Sequence, residues 1–400
     1  MNPYVVVFSS LFPSTAQPAA GVFIRERMFR VGAYLPLCVV APTPWFPFQG
    51  LLRLLRPHFR PMPPLFAQQQ GFDVYHPRYF SVPGLFKRWD GFFMALGTYP
   101  VLKRLKAEGR LQVLDAHFGF PDGYAATWLG RRLGVPVTIT MRGTEDRHSR
   151  TPGLAPRLRQ ALLRCQHVFS VSDSLKQVAV RLGVPATKVQ VVGNGVDAHK
   201  FHPLPPAECR AALGLPMGVP VLVSVGGLVE RKGFHRVIEV LPRLLQNHPG
   251  LVLLVVGGAS AEGNNRAELE AQVARLGLQA HVRFLGTRKP EELSGVLSAA
   301  DVFVLATRNE GWANVFLEAM ACGLPVVTTN VGGNAEVVCR PELGSVVPFG
   351  DADALGTALS DALGKPWNRQ AIRAYAEANS WDDRVARLVT AFQGLVQKKP

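Results

Sequence analysis

Two rhythms alternate along the chain. Short unbroken apolar runs, rich in β-branched residues, are separated by stretches whose apolar residues recur at three- and four-residue spacing. The strand candidates of the first half are "YVVVFSS", "LPLCVVAP", "LQVLDAHF", "VPVTITMRG" and "HVFSVSD", with amphipathic helices such as "AATWLGRRLG" and "SLKQVAVRLG" between them. The second half restarts with "VPVLVSVGG", then "LVLLVVGG", "VRFLG", "DVFVLAT", "LPVVTT" and "LGSVVPF". Strands that are apolar throughout and alternate with helices predict parallel sheets covered on both faces. Two such series predict two Rossmann-like α/β domains. A length of 400 residues agrees, since it exceeds the size at which one core keeps growing.

The series breaks at "NGVDAHKFHPLPPAE", where Pro203, Pro205 and Pro206 end regular structure. This sets the expected domains at 1–199 and 200–379. Charge separates the halves further. Residues 1–200 hold 25 Lys+Arg against 10 Asp+Glu, whereas residues 201–400 hold 19 of each, so the whole excess of +15 sits on the first half. Such asymmetry predicts either an anionic partner for that half or a basic face that only aids solubility. The chain carries no RRM or zinc-finger signature, and nucleic acid is not expected as a partner. The five cysteines are dispersed singly, with no metal-like spacing, which suits a reducing compartment.

The first residues, "MNPYVVVFSSLFPS", lack a basic region before the apolar run and read as a buried strand rather than a signal peptide. No run approaches the ~20 apolar residues of a membrane span. A cytoplasmic protein is expected, with a peripheral position at the inner face of the plasma membrane as the variant to test. Residues 42–66 mix Trp45, Phe46, Phe48, Leu51 and Leu52 with Arg53, Arg56 and Arg60 among prolines. That mixture fits an interfacial membrane patch and, equally, a surface loop packed on its own domain.

The chemistry concentrates in "ATRNEGWANVFLEAMACGLPVVTT", residues 306–329. A strand runs into a loop with Glu310, and a helix begins near Asn314. In open α/β sheets ligands sit beyond the carboxyl ends of strands, where a helix N-terminus offers free N–H groups to an anion such as a diphosphate. Glu318 lies four residues after Asn314, hence on the same helix face about one turn along. A carboxylate there can bind a ribose diol while the diphosphate sits at the helix end. Glu310 then faces whatever lies beyond the diphosphate. A second stretch, "VSVGGLVERKG", is a strand entering a Gly226-Gly227 turn followed by Arg231 and Lys232. The glycines permit close backbone approach, and two cations can neutralise a diphosphate.

Together these stretches resemble the E-x7-E signature of the retaining glycosyltransferases of family 4. "VSVGGLVERKGFHRVIEVLPRL" is similar to that family's donor-phosphate motif, "VVGNGVDAHKF" to its inter-domain signature, and "VGGNAEVV" to the segment after the second Glu. The resemblance spans essentially the whole chain. It implies a GT-B fold, two facing Rossmann-like domains with an inter-domain cleft, and a last helix, about 380–400, packed back on the first domain. It also implies a donor site of Gly226, Gly227, Arg231, Lys232, Gly257, Glu310, Gly311, Asn314, Val315 and Glu318. Arg231, Lys232, Glu310 and a sugar-facing His117, in "DAHFGFPDG", would be the catalytic groups. On the acceptor side the resemblance points to Gly21, Arg25, Arg142 and Ser172. There Arg142-Gly143 stands where many relatives have His-Gly, and Gly21 alone remains of two adjacent glycines. A helix cap accounts for Ser172 equally well.

"GDADAL" contains the string Asp351 to Asp353, which reads as a helix cap rather than a metal site, and no metal or other cofactor is expected. The expected partners are a nucleotide sugar donor, a saccharide or lipid-linked acceptor and an anionic membrane surface. The expected function is a retaining, metal-independent hexosyl- or N-acetylhexosaminyl-transferase of polysaccharide or glycolipid synthesis. A GT-B sugar-nucleotide epimerase and a non-catalytic nucleotide-sugar-binding protein remain as alternatives.

Overall fold

The computed structural model describes residues 2–18, 20–55, 59–260 and 262–397. The chain divides into two compact units, Met1–Asn194 with Asp382–Pro400, and Gly195–Trp381. Unit 1 therefore carries 28 Lys+Arg against 11 Asp+Glu, and unit 2 carries 16 against 18. The basic excess belongs to one folded body.

The strands of unit 1 are β1 Val5–Phe8, β2 Leu37–Val40, β3 Thr43–Trp45, β4 Phe66–Gln69, β5 Phe72–Tyr75, β6 Arg78–Phe80, β7 Val113–His117, β8 Val137–Met141, β9 His167–Ser170 and β10 Val189–Val191. Eight of them form one sheet in the order β10-β9-β8-β7-β1-β2-β5-β4, while β3 pairs with β6. The large sheet is parallel except for β4, which runs antiparallel to β5. Its central strands are buried along their whole length, as their apolar sequences require. The hairpin β4–β5 escapes sequence reading because "FAQQQGFDVY" is polar and half-exposed, typical of a sheet edge. Within residues 42–66 lie β3 and a helix, Gln49–Leu55.

Unit 2 contains β11 Val221–Val225, β12 Val252–Val256, β13 Val282–Gly286, β14 Val302–Leu305, β15 Val326–Thr329 and β16 Gly344–Val347. They form an all-parallel sheet in the order β13-β12-β11-β14-β15-β16. Side chains alternate between two cores: Val221, Val223 and Val225 of β11 join one, and Leu222 joins the other. Phe316 of the helix Asn314–Ala321 packs edge-on against Phe303 of β14, with ring centroids 5.8 Å apart. This contact fixes the helix, and Glu318 with it, over the sheet. The final helix, Trp381–Gln397, places Phe392 against Phe169 of β9, inside unit 1.

Candidate functional site

Strand order reverses once in each sheet, and a ligand crevice is expected beyond the strand ends at that point. In unit 2 the reversal lies between β11 and β14, so the loops that follow these two strands meet there. The loop after β11 passes Gly226 and Gly227 and makes a short helical turn, Glu230–Lys232. The loop after β14 carries Thr307 and Glu310. One Glu310 oxygen receives Lys232 Nζ at 2.5 Å, Arg231 Nη1 at 3.3 Å and the Thr307 hydroxyl at 3.4 Å. Four of the predicted donor-side residues are thus brought together: Arg231, Lys232, Glu310 and Gly226. The Lys232 stem lies against Gly226, whose open face leaves room for it.

Two further glycines make this approach possible. Gly233, in the left-handed region at φ 78°, brings its Cα face against the Ala306 carbonyl, where a Cβ would sit 1.9 Å from the oxygen. Gly332, at φ 53°, does the same to the Glu310 carbonyl, at 1.7 Å. A side chain at Gly233 would push the loops after β11 and β14 apart, and one at Gly332, in the loop after β15, would push that loop off Glu310.

The helix Asn314–Ala321 starts where the sequence placed it. No side chain caps its first turn, and that turn holds no acidic residue. Its N-terminus therefore favours an anion. Glu318 has no hydrogen-bond or ion-pair partner for its carboxylate among the described residues. It is still reachable by solvent, yet protein surrounds it, and this burial pushes its carboxyl up to about 7, with Lys232 acting in the opposite sense. Gly311 leads into the helix, and Val315 packs partly on the core. Gly257, at the end of β12, backs onto Gly226.

One member of this cluster lies outside the predicted set. Glu262, in the loop after β12, grips Arg231 with both oxygens, at 2.6 Å to Nε and 2.6 Å to Nη2. Its hydrogen bonds, ahead of the charge of Glu310, hold the guanidinium above its ordinary range. No periodicity marks Glu262, because it sits in the irregular stretch "ASAEGNN".

In unit 1 the order reverses between β1 and β7. A cavity of about 510 Å³ lies there, lined by Ser10, Phe118, Phe120, Asp122, Thr144 and His148 among others. Asp122 braces the two strand-end loops, accepting from the Ser10 N–H at 2.5 Å and the Ser10 hydroxyl at 3.0 Å. Burial pushes its carboxyl up to about 7. The Thr144 hydroxyl and His148 Nδ1 are buried without a hydrogen-bond partner among the described residues. Burial holds His148 down to about 4, so its ring is neutral near pH 7. These polar groups were not singled out from the sequence, where none carries a distinctive spacing.

The predicted residues of unit 1 take other positions. His117 is fully buried. Its Nδ1 accepts from Arg142 Nε at 3.0 Å, and Nε2 faces Asp115 at 3.2 Å. Burial, ahead of the Arg142 charge, holds its pKa down to about 4. Through Nδ1 His117 orients Arg142, while its Nε2 has no hydrogen-bond partner among the described residues. Arg142 is itself buried, reaches Asn194 at 3.2 Å and stacks over Phe23; burial lowers its pKa well below the ordinary range. Ser172 is fully buried, and its hydroxyl caps the helix Asp173–Arg181 by accepting from Leu175 N at 3.3 Å, the helix-cap role the sequence allowed. Gly21, at φ 67°, begins the helix Val22–Val31, and Arg25 in its first turn lies 3.6 Å from Glu26.

Elsewhere, Asp351 caps the helix Ala352–Gly364 and Asp353 pairs with Arg243 at 3.0 Å. In residues 42–66, Arg53 and Arg60 donate to backbone carbonyls of Phe59, Arg60 and Ser81, while Arg56 lies outside the described residues. Phe48 and Leu54 are each 80% exposed, beside exposed Trp45, Leu51 and Leu52. A second exposed apolar group, Leu85, Phe86, Trp89 and Leu96, adjoins the cavity at Lys87 and Asp90. Among the described residues no helix is long and apolar enough to cross a membrane.

Comparison with known proteins agrees with this architecture. The profile of glycosyl transferases group 1 matches residues 207–379, and that of glycosyltransferase family 4 matches residues 59–200. The chain is 34% identical over 218 residues to a D-inositol 3-phosphate glycosyltransferase of Corynebacterium urealyticum, covering 52% of this chain and 51% of that protein, about half its length. It is 35% identical over 280 residues to a GDP-mannose-dependent alpha-(1-6)-phosphatidylinositol monomannoside mannosyltransferase of Mycolicibacterium smegmatis, covering 66% and 72%. Among solved structures, sucrose-phosphate synthase from Thermosynechococcus elongatus superposes with a TM-score of 0.77 at 21% identity over 100% of both chains. HepE from Anabaena, in complex with UDP, gives 0.74 at 18% over 98% and 100%. Two parallel-sheet Rossmann-like units of this design, shared with these structures, make the GT-B fold. The chain belongs to glycosyltransferase family 4.

Proposed function

We propose that the chain is a retaining, metal-independent glycosyltransferase that moves a sugar from a nucleoside diphosphate sugar to a saccharide or lipid-linked acceptor. One observation carries the reading: Arg231 and Lys232 converge with Glu310 at the strand-order reversal of unit 2. The diphosphate is held by the two cations and the uncapped N-terminus of the helix Asn314–Ala321. Glu318 accepts from the ribose hydroxyls, and Glu310 orients hydroxyls of the sugar. As the bond from the anomeric carbon to the diphosphate breaks, the leaving group takes the electron pair, and Arg231 and Lys232 stabilise its growing charge. The acceptor hydroxyl bonds to the anomeric carbon on the face just vacated and passes its proton to the departing diphosphate. No side chain is assigned as nucleophile. Arg231, Lys232 and the helix end are the groups that meet the diphosphate in this reading, which assigns no step to a metal ion.

The cavity between the ends of β1 and β7 takes the acceptor, with its buried Thr144 and His148 groups available to ring hydroxyls. The basic excess of unit 1 and its two exposed apolar groups suit an acceptor held at an anionic membrane surface, on the cytoplasmic side. The relative from Mycolicibacterium smegmatis acts, by its name, on a phosphatidylinositol mannoside. The test is transfer from a panel of UDP- and GDP-sugars to soluble and lipid-linked saccharides in the presence of EDTA, with the product's anomeric configuration read by NMR. Retained configuration with undiminished rate is expected. An inverted product, or activity lost to EDTA and restored by a divalent ion, overturns the reading.

A further inference from the structure

Arg231 offers two binding edges, and both are occupied within unit 2. Its Nη1 side faces the Asn309 carbonyl at 3.2 Å and Glu310 at 3.3 Å. Its Nε–Nη2 edge, whose parallel N–H groups match a carboxylate or a phosphate, is filled by Glu262 at 2.6 Å on both atoms. Two cations, Arg231 and Lys232, thus stand against two carboxylates, Glu310 and Glu262, which leaves no net charge for a diphosphate. Glu310 is 9% exposed and is held by three donors. Glu262 is 52% exposed, on a loop that lies along Gly226 and Gly227, with Ser260 3.1 Å from the position of a Gly227 Cβ. Backbone bonds between Ser260 and Gly263, and from Asn265 N to the Leu228 carbonyl, tie the loop to this place. The more exposed carboxylate, on the loop, is the one that can yield.

We propose that Glu262 is an internal competitor for the donor's diphosphate: it holds the bidentate edge of Arg231 until the donor binds and displaces it. The inference rests on the donor-site reading above and adds an affinity-setting residue to it. A singly charged carboxylate holds the edge against weak anions, whereas a diphosphate, which also engages Lys232 and the helix end, replaces it. The loop after β12 is thereby coupled to occupancy of the site.

The test measures binding of UDP, GDP and ADP by titration calorimetry to the full chain, to Glu262→Gln, to Arg231→Ala and to the double variant. Whichever diphosphate the unaltered protein binds is expected to bind Glu262→Gln roughly 3- to 10-fold more tightly. Against Arg231→Ala, adding Glu262→Gln is expected to change nothing, because the contested edge is gone. If Glu262 only holds Arg231 in place, Glu262→Gln binds equally or more weakly, and the proposal falls while the donor site stands. If the unaltered protein binds none of the three, the donor-site reading falls and takes this proposal with it.

Discussion

Replacing Lys232 by methionine keeps the stem that packs on Gly226 and removes only the charge. The lost ammonium lies 2.5 Å from Glu310 on a side chain only 15% exposed, so water screens the pair poorly. At an effective dielectric of about 20, two unit charges about 4 Å apart interact by about 4 kcal/mol. Departure of the diphosphate adds a fraction of a unit charge, about half to one, beyond what the bound donor already carries. The differential loss in the transition state is then about 2–4 kcal/mol, or roughly 30- to 10³-fold in turnover. Folding is expected to weaken much less, because Arg231 and Thr307 still serve the same Glu310 oxygen. Single-turnover transfer rates at saturating donor, beside a urea melt of the same preparation, separate the two effects. Turnover within about 3-fold of the unaltered protein, with folding intact, would refute the assignment of this lysine to the leaving group.

Other expectations follow from particular contacts. Glu318→Gln is expected to weaken nucleoside diphosphate binding, whereas Glu310→Gln spares binding and damages transfer; calorimetry showing equal losses contradicts that division. Because burial pushes Glu318 up to about 7, the folded chain keeps a proton that the unfolded chain has released, and stability falls as pH rises from about 5 to 7. Glu318→Gln should flatten that slope and add at most about 3 kcal/mol at pH 8, read by urea denaturation at pH 5 and 8; an unchanged slope refutes it. Ser172→Ala removes a helix cap and should cost about 1 kcal/mol while leaving the acceptor KM unchanged; a raised KM restores Ser172 to the acceptor side. Anionic vesicles should float the protein at low salt and release it at high salt, and equal recovery with neutral vesicles at both salts removes the membrane surface.

The apolar rhythm determined the class of fold, because a strand buried on both faces and a helix with one apolar stripe can hardly be written any other way. It located the long apolar strands of both sheets, and it failed at the edge strands β4 and β10, at β5 beside β4 and at the β3–β6 pair, whose partly exposed residues leave no such imprint. The donor residues were legible for a related reason. Glu310, Asn314 and Glu318 are close in sequence, on one loop and one helix, and Arg231 and Lys232 adjoin a glycine turn. What unites these two groups, 78 residues apart at Lys232 and Glu310, is the placing of β11 beside β14, which only the tertiary structure decides. Tertiary structure also decided what His117 and Ser172 touch: His117 Nδ1 accepts from Arg142, and the Ser172 hydroxyl caps a helix, the alternative the sequence had left open. Glu262 is the opposite case: an unremarkable loop glutamate becomes a partner of Arg231 because the chain folds back to within 2.6 Å. A sequence states which groups are present, but the charge a site offers depends on which of them end up facing each other.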